Sequence, residues 1–474
     1  MCLHFERISG RWAFMTTVHR YQPVDRPFRK PEISAQAAPE MVAQPNHGLA
    51  LPVKLFLVGL VLPWIIPFGS LNLSAYRIVL LVAFVPCSVL WMQGRAGRIR
   101  LPDLGLTLFH LWAAVGLVVV HGIGPAIQPG GMLFIEGMGS YLMARCFIRT
   151  PDDFRSMVMF VSKLLVCLLP FCLYEWLTGQ KPLLTILGTI FPTVEITRMY
   201  PRMGLWRVQG PFSHSILYGV FCASLLALVC RASSFRYNGF TAVFFTSVVV
   251  GSAVLSMSSA PIAGLALQIA LLTWDRLLRG FPGRWKLLWA VAILGIGAIE
   301  FGSNQTPAQF YVSHFTFEQQ TGWYRMWIWE YGTASVERHP IFGIGLGDWM
   351  RPGWMVSDSI DNFWLILAMR HGIPGVTLMV LSWFGLWFAI ARRKVLEPVV
   401  ASYRTAYLIC MASFVFVGAT VHFWGATYAW FFFLGGAGAW ILDSRGHENP
   451  SGRTVSDRAA GGAPMRVSRL AARR

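Results

Sequence analysis

The chain has 474 residues, of which 55% are hydrophobic and 13% charged, against roughly 25% charged in an average soluble domain. That balance excludes a soluble globular protein. Lys and Arg number 40 and Asp and Glu 22, a net charge of +18; in a soluble chain this would point to nucleic acid, but here its meaning depends on where the basic residues sit.

Residues 1–52 are polar and rich in Pro and Arg, and they lack the apolar core and small-residue cleavage site of a secretory signal. They read as a disordered cytoplasmic tail, with Met15 as an alternative start. Twelve apolar runs follow, each close to the ~20 residues of helix that cross ~30 Å of hydrocarbon. They fall near 53–69, 76–93, 104–121, 131–147, 157–176, 212–230, 239–256, 260–274, 287–302, 372–391, 403–420 and 423–442. The expected fold is an all-α polytopic membrane protein of about 12 transmembrane helices: nine in 53–302, with a short basic segment at 177–211, a large outer loop at 303–371, and three in 372–442. Residues 443–474 read as a second disordered basic tail.

Short cytoplasmic loops retain Lys and Arg. Alternate loops, both tails included, hold 30 of the 40 basic residues, which predicts that both termini are cytoplasmic. Arg77 at a helix start and Lys163 within a helix can snorkel. The other eight, Lys181, Arg198, Arg202, Arg207, Arg325, Arg338, Arg351 and Arg370, all fall in the two outer segments. Taken singly, each reads as a solvated charge or a partner of Glu195, Glu318, Glu330, Glu337, Asp348 or Asp358. Taken together they suggest a site for an anionic group, because Arg is suited to bidentate phosphate recognition. A lipid-linked phosphate or diphosphate at the outer leaflet is the natural ligand.

In the longer outer segment, Glu318–Arg338 places Met326, Trp329, Thr333 and Val336 at helical spacing, and Pro340 with Gly343, Gly345 and Gly347 ends the run. This predicts an amphipathic helix on the membrane surface. Trp323, Trp327, Trp329, Trp349, Trp354 and Trp364 fall in the same stretch, where they read either as sugar-stacking rings or as an interfacial aromatic belt. Gly343-Ile-Gly-Leu-Gly347 lacks the spacing and preceding strand of a dinucleotide loop, and no CxxC or HxxxH pair suggests a metal. The eight cysteines lie in predicted helices or the amino tail, so no outer-loop disulfide is expected.

Three segments resemble a known family. Arg207-Val-Gln-Gly-Pro-Phe-Ser-His214 is similar to the R-x-x-G-x-F motif of the O-antigen ligase and polymerase superfamily of bacterial membrane proteins. Tyr-Arg325-Met-Trp-Ile-Trp329, with Arg338-His339-Pro-Ile-Phe-Gly-Ile-Gly-Leu-Gly347, looks like its R-x-x-x-W helix and HPxxGxGxG turn. Asp361-Asn362-Phe-Trp-Leu and His371-Gly-Ile-Pro-Gly375 resemble its HNxxL…xGxxG segment. The resemblance is specific from about 200 to 375.

It implies a GT-C-like glycosyltransferase of the inner membrane with its active site on the periplasmic side. The substrate would be undecaprenyl-diphosphate-linked oligosaccharide, passed to a growing or incoming repeat unit by a polymerase of exopolysaccharide, capsule or O-antigen, or to lipid A core by a ligase. It also implies binding of the diphosphate by Arg207 and Arg325, with no metal, cofactor or nucleotide sugar needed, and the 30 basic residues that set topology leave no excess that requires nucleic acid. Membrane lipids, a chain-length-determining copolymerase and a flippase would be its partners. Arg202, Arg338 and Arg351 would form a supporting field, with Trp329, His339, Asn362 and Arg370 as further binding candidates and the Trp-rich helix as a lid. Two departures stand out. Asp361 occupies the place of the ligases' His, and Ser259-Ala-Pro261 stands where many members have Ser-Arg. Asp361 reads either as a general base, since a partly desolvated carboxylate can accept a hydroxyl proton, or as the cap of a helix beginning at Asn362. The change of His to Asp tilts the expectation from ligase to polymerase. A transporter or flippase of lipid-linked sugars is the rival from another class, although no internal repeat supports it.

Overall fold

The computed structural model describes residues 48–444 except 70, 235–237, 305, 307–308, 311–318 and 394–396. Nearly all of the two basic tails, with Arg236 and Glu318, lies outside the described residues. The chain runs through α1 (Leu51–Leu60), a hairpin of β1 (Ile65–Phe68) and β2 (Leu71–Ser74), α2 (Ala75–Met92), α3 (Leu101–His121) and α4 (Ile123–Phe134). A π-turn at Ile135–Gly139 leads into α5 (Ser140–Phe147), α6 (Pro151–Thr178) and the short α7 (Pro182–Leu187). Next come α8 (Ser215–Ser224), α9 (Leu226–Ser234), α10 (Gly239–Leu255), α11 (Ser259–Leu277), α12 (Arg284–Gly302) and α13 (Gln319–Arg338). The last helices are α14 (Phe363–Arg392), α15 (Pro398–Gly418) and α16 (Ala426–Ala437), which closes with a 3-10 turn at Ala439–Leu442.

Seven helical stretches are long and apolar enough to cross a membrane: Ala75–Met92, Leu101–His121, Pro151–Thr178, Ser215–Ser234, Arg284–Gly302, Phe363–Arg392 and Pro398–Gly418. Three shorter apolar helices, Leu51–Leu60, Gly239–Leu255 and Ala426–Leu442, accompany them. The chain is a multi-pass membrane protein. Local chemistry explains most departures from the twelve expected runs. The run at 53–69 stops at Leu60, and its remainder joins an antiparallel hairpin pairing Ile65 with Ser74 and Phe68 with Leu71. The run at 131–147 is interrupted by the π-turn. Helices α8 and α9 break at Leu225, and the Gln268 amide on α11 accepts from Ala227 N (3.1 Å) and donates to Ala223 O (2.7 Å) across the break. A buried amide there satisfies backbone groups that lipid would leave unpaired.

Most basic segments assigned to one side by counting do share one end of the bundle. Arg100 and Arg145 reach Asp443, Arg145 also pairs with Asp103 (3.1 Å), and Arg231 and Arg284 both hold Asp275. Arg155 donates to Ala232 O and Arg393 to Ser444 O. At the core, the Phe431, Phe432 and Phe433 run of α16 packs with Trp383 and Phe56. By contrast, α12 buries no side chain among the described residues.

The opposite end is organised by an interlock. Helix α14 is broken at Gly372 (φ 71°), and the loop after α13 plugs the break. Ile344 N and Gly345 N donate to the carbonyls of Met369 (2.8 Å) and Arg370 (3.2 Å), while Ile373 N donates to Pro340 O (2.7 Å). A Cβ on Gly343 would lie 2.4 Å from Met369 O, and one on Gly372 only 2.0 Å from Ile341 O. The glycine-rich turn, set aside above as a nucleotide loop, is thus the backbone plug of a discontinuous helix.

Candidate active site

The segment 193–214 lies across this end. Glu175, buried near the end of α6, accepts from Gln209 N (2.8 Å) and Gly210 N (3.0 Å) and pairs with Lys181 (2.9 Å). Val208 N donates to Leu255 O (3.1 Å) at the α10–α11 turn, where Met257 adopts a left-handed backbone (φ 46°). That conformation is uncommon for a side chain of this size, and it turns the Met257 carbonyl and the Ser258 hydroxyl toward the loop. Arg202 Nη1 donates to Met257 O (3.0 Å) and Arg207 Nη2 to Ser258 Oγ (3.1 Å).

Helix α13 supplies the third arginine. Its inward stripe is Arg325, Ile328, Gly332 and Ser335, one residue out of phase with the expected Met326, Trp329, Thr333 and Val336. Ile328 and Ser335 are buried, and a Cβ on Gly332 would meet Leu365 of α14 at 2.7 Å. The phase was misread because small residues, not large apolar ones, make the close contact. Arg325 therefore points inward, with its side chain 14% exposed. Its Nε is buried without a hydrogen bond and lies 3.9 Å from Asp361 Oδ2.

Of the two readings of Asp361, the helix cap belongs instead to its neighbour Asn362. Asn362 Oδ1 accepts from Leu365 N (3.0 Å) and caps α14. Asp361 accepts from Ser359 Oγ (2.9 Å) and keeps its side chain 32% exposed. Asn362→Ala is expected to cost about 1 kcal/mol of stability while leaving turnover within about twofold, as thermal unfolding and a transfer assay would show; a large loss of turnover at unchanged stability would instead give Asn362 a substrate contact.

These residues meet in one cavity of about 270 Å³, lined by Arg202, Arg207, Arg325, Asp361, His214 and the Ser258–Ala260 turn. His214 caps α8 by accepting from Ile216 N at Nδ1 (3.1 Å), which leaves Nε2 carrying the proton. Burial, reinforced by Arg207, pushes its pKa down to about 4, so at neutral pH the cavity holds three guanidinium groups against one carboxylate. Because the folded-state value is depressed, His214 should make no difference to stability above its unfolded pKa of about 6.5. Stability should then fall between about 6.5 and 4 as the unfolded chain takes up the proton first, and His214→Asn should flatten that limb in pH-dependent unfolding.

The remaining candidates lie elsewhere. Arg351 is held by Asp348, Trp349 O and Met355 O, and its hydrogen bond draws the exposed Asp348 carboxyl below its usual range. Arg338, His339 and Trp329 are exposed. Trp327 packs against Tyr331 and Trp354. Arg370 faces a second, larger cavity. Sequence reasoning noted Ser259 only as a departure from the family pattern and missed Ser258; the Ser-Met-Ser-Ser run between two apolar stretches was the available signal.

No family model and no curated protein matches this chain.

Proposed function

We propose that the chain is an inner-membrane glycosyltransferase that polymerises undecaprenyl-diphosphate-linked oligosaccharide repeat units on the periplasmic face, as a polymerase resembling the O-antigen ligase and polymerase superfamily. The observation that carries this reading is the convergence of Arg202, Arg207, Arg325 and Asp361, from three separate segments, on one small cation-rich cavity. Its volume is below the roughly 300–1,000 Å³ of sites that enclose a drug-sized ligand, which suits a charged head group better than a glycan.

In this reading the diphosphate sits among the three guanidinium groups, which neutralise charge as it develops on the leaving oxygen. The acceptor hydroxyl attacks the anomeric carbon of the donor sugar, forming the new C–O bond as the bond from that carbon to the phosphate oxygen breaks. The lipid diphosphate leaves with the electron pair. Asp361 accepts the hydroxyl hydrogen bond and then its proton. The transition state is oxocarbenium-like, as in other glycosyl transfers, so the hydroxyl proton leaves late and a weak base is enough. Asp361 at the position where ligases carry His is the reason to prefer polymerase over transfer to lipid A core.

A transporter or flippase of lipid-linked sugars is the second reading, favoured by the break in α14 at Gly372, since discontinuous helices often mark transport sites. One experiment separates the readings. Purified full-length protein in liposomes, given undecaprenyl-diphosphate-linked repeat units, should yield a ladder of longer lipid-linked chains. Movement of substrate across the bilayer with no change in chain length would favour the transporter.

A further inference from the structure

A second cavity, of about 580 Å³, lies behind the first. The two share a wall. Ser213, Leu217 and Phe363 line the larger, while His214, Ile216 and Asp361 line the smaller. Two irregularities of otherwise regular helices border the larger cavity, the π-turn carrying Glu136 and the break that follows Arg370 and His371. Non-helical backbone at membrane depth is tolerated where it lines a cavity, and π-turns recur at functional sites.

The charges of this cavity are nearly all accounted for. Glu136 accepts from Arg77 Nε (2.7 Å) and from the Tyr76 hydroxyl. Burial, then the charge of Arg370, pushes His422 down to about 3, so it is neutral. Glu195 on the lining is exposed. Arg370 differs: among the described residues no hydrogen bond or ion pair reaches its half-buried guanidinium. His371 Nδ1 beside it is buried without a hydrogen bond. Aromatic rings of Trp64, Trp424 and Tyr428 also line the space. Apolar ring faces, with a few convergent polar groups and one open cation, suit a sugar ring that bears a negative charge.

Resting on the transferase reading, we propose that this cavity is the acceptor subsite and that it takes an acidic saccharide, with Arg370 holding a carboxylate or phosphate substituent. The volume falls within the range of sites that enclose an extended small ligand. Asp361 lies on the far side of the shared wall, two residues from Phe363, so transfer requires the end of that saccharide to pass this wall.

The test is binding, which needs no turnover. Full-length protein in detergent is titrated with a hyaluronan tetrasaccharide, its carboxyl-reduced counterpart and 6-phosphomaltotetraose, followed by calorimetry. The acidic sugars should bind about 10- to 100-fold more tightly than the neutral one, the scale of a charged hydrogen bond. Arg370→Gln should abolish the preference, Arg370→Lys should keep part of it, and Arg325→Ala in the other cavity should keep all of it. Equal binding of acidic and neutral sugars, no binding of any, or a preference that survives Arg370→Gln would overturn the proposal. Should Arg370→Gln not fold, a photoreactive hyaluronan tetrasaccharide on the unaltered protein decides: labelling at 422–428 supports the proposal, and labelling confined to 202–207 or 325 overturns it. Because transfer is not measured, a chain that binds acidic sugar but extends nothing refutes the transferase and not the subsite.

Discussion

Arg325→Ala is expected to slow chain extension by about 10²- to 10³-fold, the usual loss when one preorganised donor to a developing negative charge is removed. The expectation follows from the stripe on which Arg325 sits. Ile328 and Ser335 are buried and Gly332 fits closely against α14, so the helix holds the guanidinium over the cavity whether or not substrate is present. Its buried Nε has no hydrogen bond, and Asp361 stands 3.9 Å away. A phosphate oxygen would satisfy that group without displacing a strong bond. Arg325→Lys keeps the charge but loses the planar fork, so its rate should fall between the two. If Arg325 and Asp361 serve one step, the double variant Arg325→Ala/Asp361→Ala should be little slower than the worse single variant. The measurement is the initial rate of conversion of lipid-linked repeats, with unfolding midpoints recorded for each variant. An undiminished rate in Arg325→Ala would sink the mechanism.

Gly372→Ala should be the most damaging small substitution at the interlocked end of the bundle. Gly372 combines a positive φ of 71° with an extended ψ of −179°, a region open essentially to glycine, and a residue with a Cβ there costs roughly 1–3 kcal/mol. Here the added carbon would also stand 2.0 Å from Ile341 O, with Pro340 O at 2.8 Å. Backbone carbonyls fixed in a plug cannot move aside as a flexible side chain can, so the combined loss should exceed about 3 kcal/mol. It should appear as a sharply lower unfolding midpoint and less folded protein in the membrane. Gly353→Ala is the control, since nothing lies within 4 Å of its added Cβ; equal effects of the two substitutions would refute the interlock.

Much of this was readable from residues, and the failures have physical causes. Helices such as α2, α3 and α6 announce themselves by unbroken hydropathy. The first strand of the hairpin was absorbed into the apolar run at 53–69 and the second fell between two runs, although Pro67, Gly69 and the alternation of Leu71 and Leu73 carried the signal. The break in α14 was marked by Gly372 and Pro374, but only the packed loop shows that it is filled by protein. Arg207, Arg325 and Asp361 were legible because each sits in a short motif. Ser258 was not, because its place depends on the left-handed Met257. The larger cavity was out of reach for a different reason. Arg77, Glu136, Arg370 and His422 come from four distant segments, and no local pattern joins them.

The interlock also bears on the order in which the molecule is assembled. Gly343 meets Met369, and Ile341 meets Gly372, across about thirty residues of chain, whereas the Trp112 bond to the His371 carbonyl spans 259. Closing a short loop loses less entropy than closing a long one, and local contacts generally form sooner. The plug and the broken helix would thus come together as a preformed unit, carrying Arg325 and Asp361 with them. Docking against the 202–217 segment and the rest of the bundle would follow, and both cavities would acquire their remaining walls in that step.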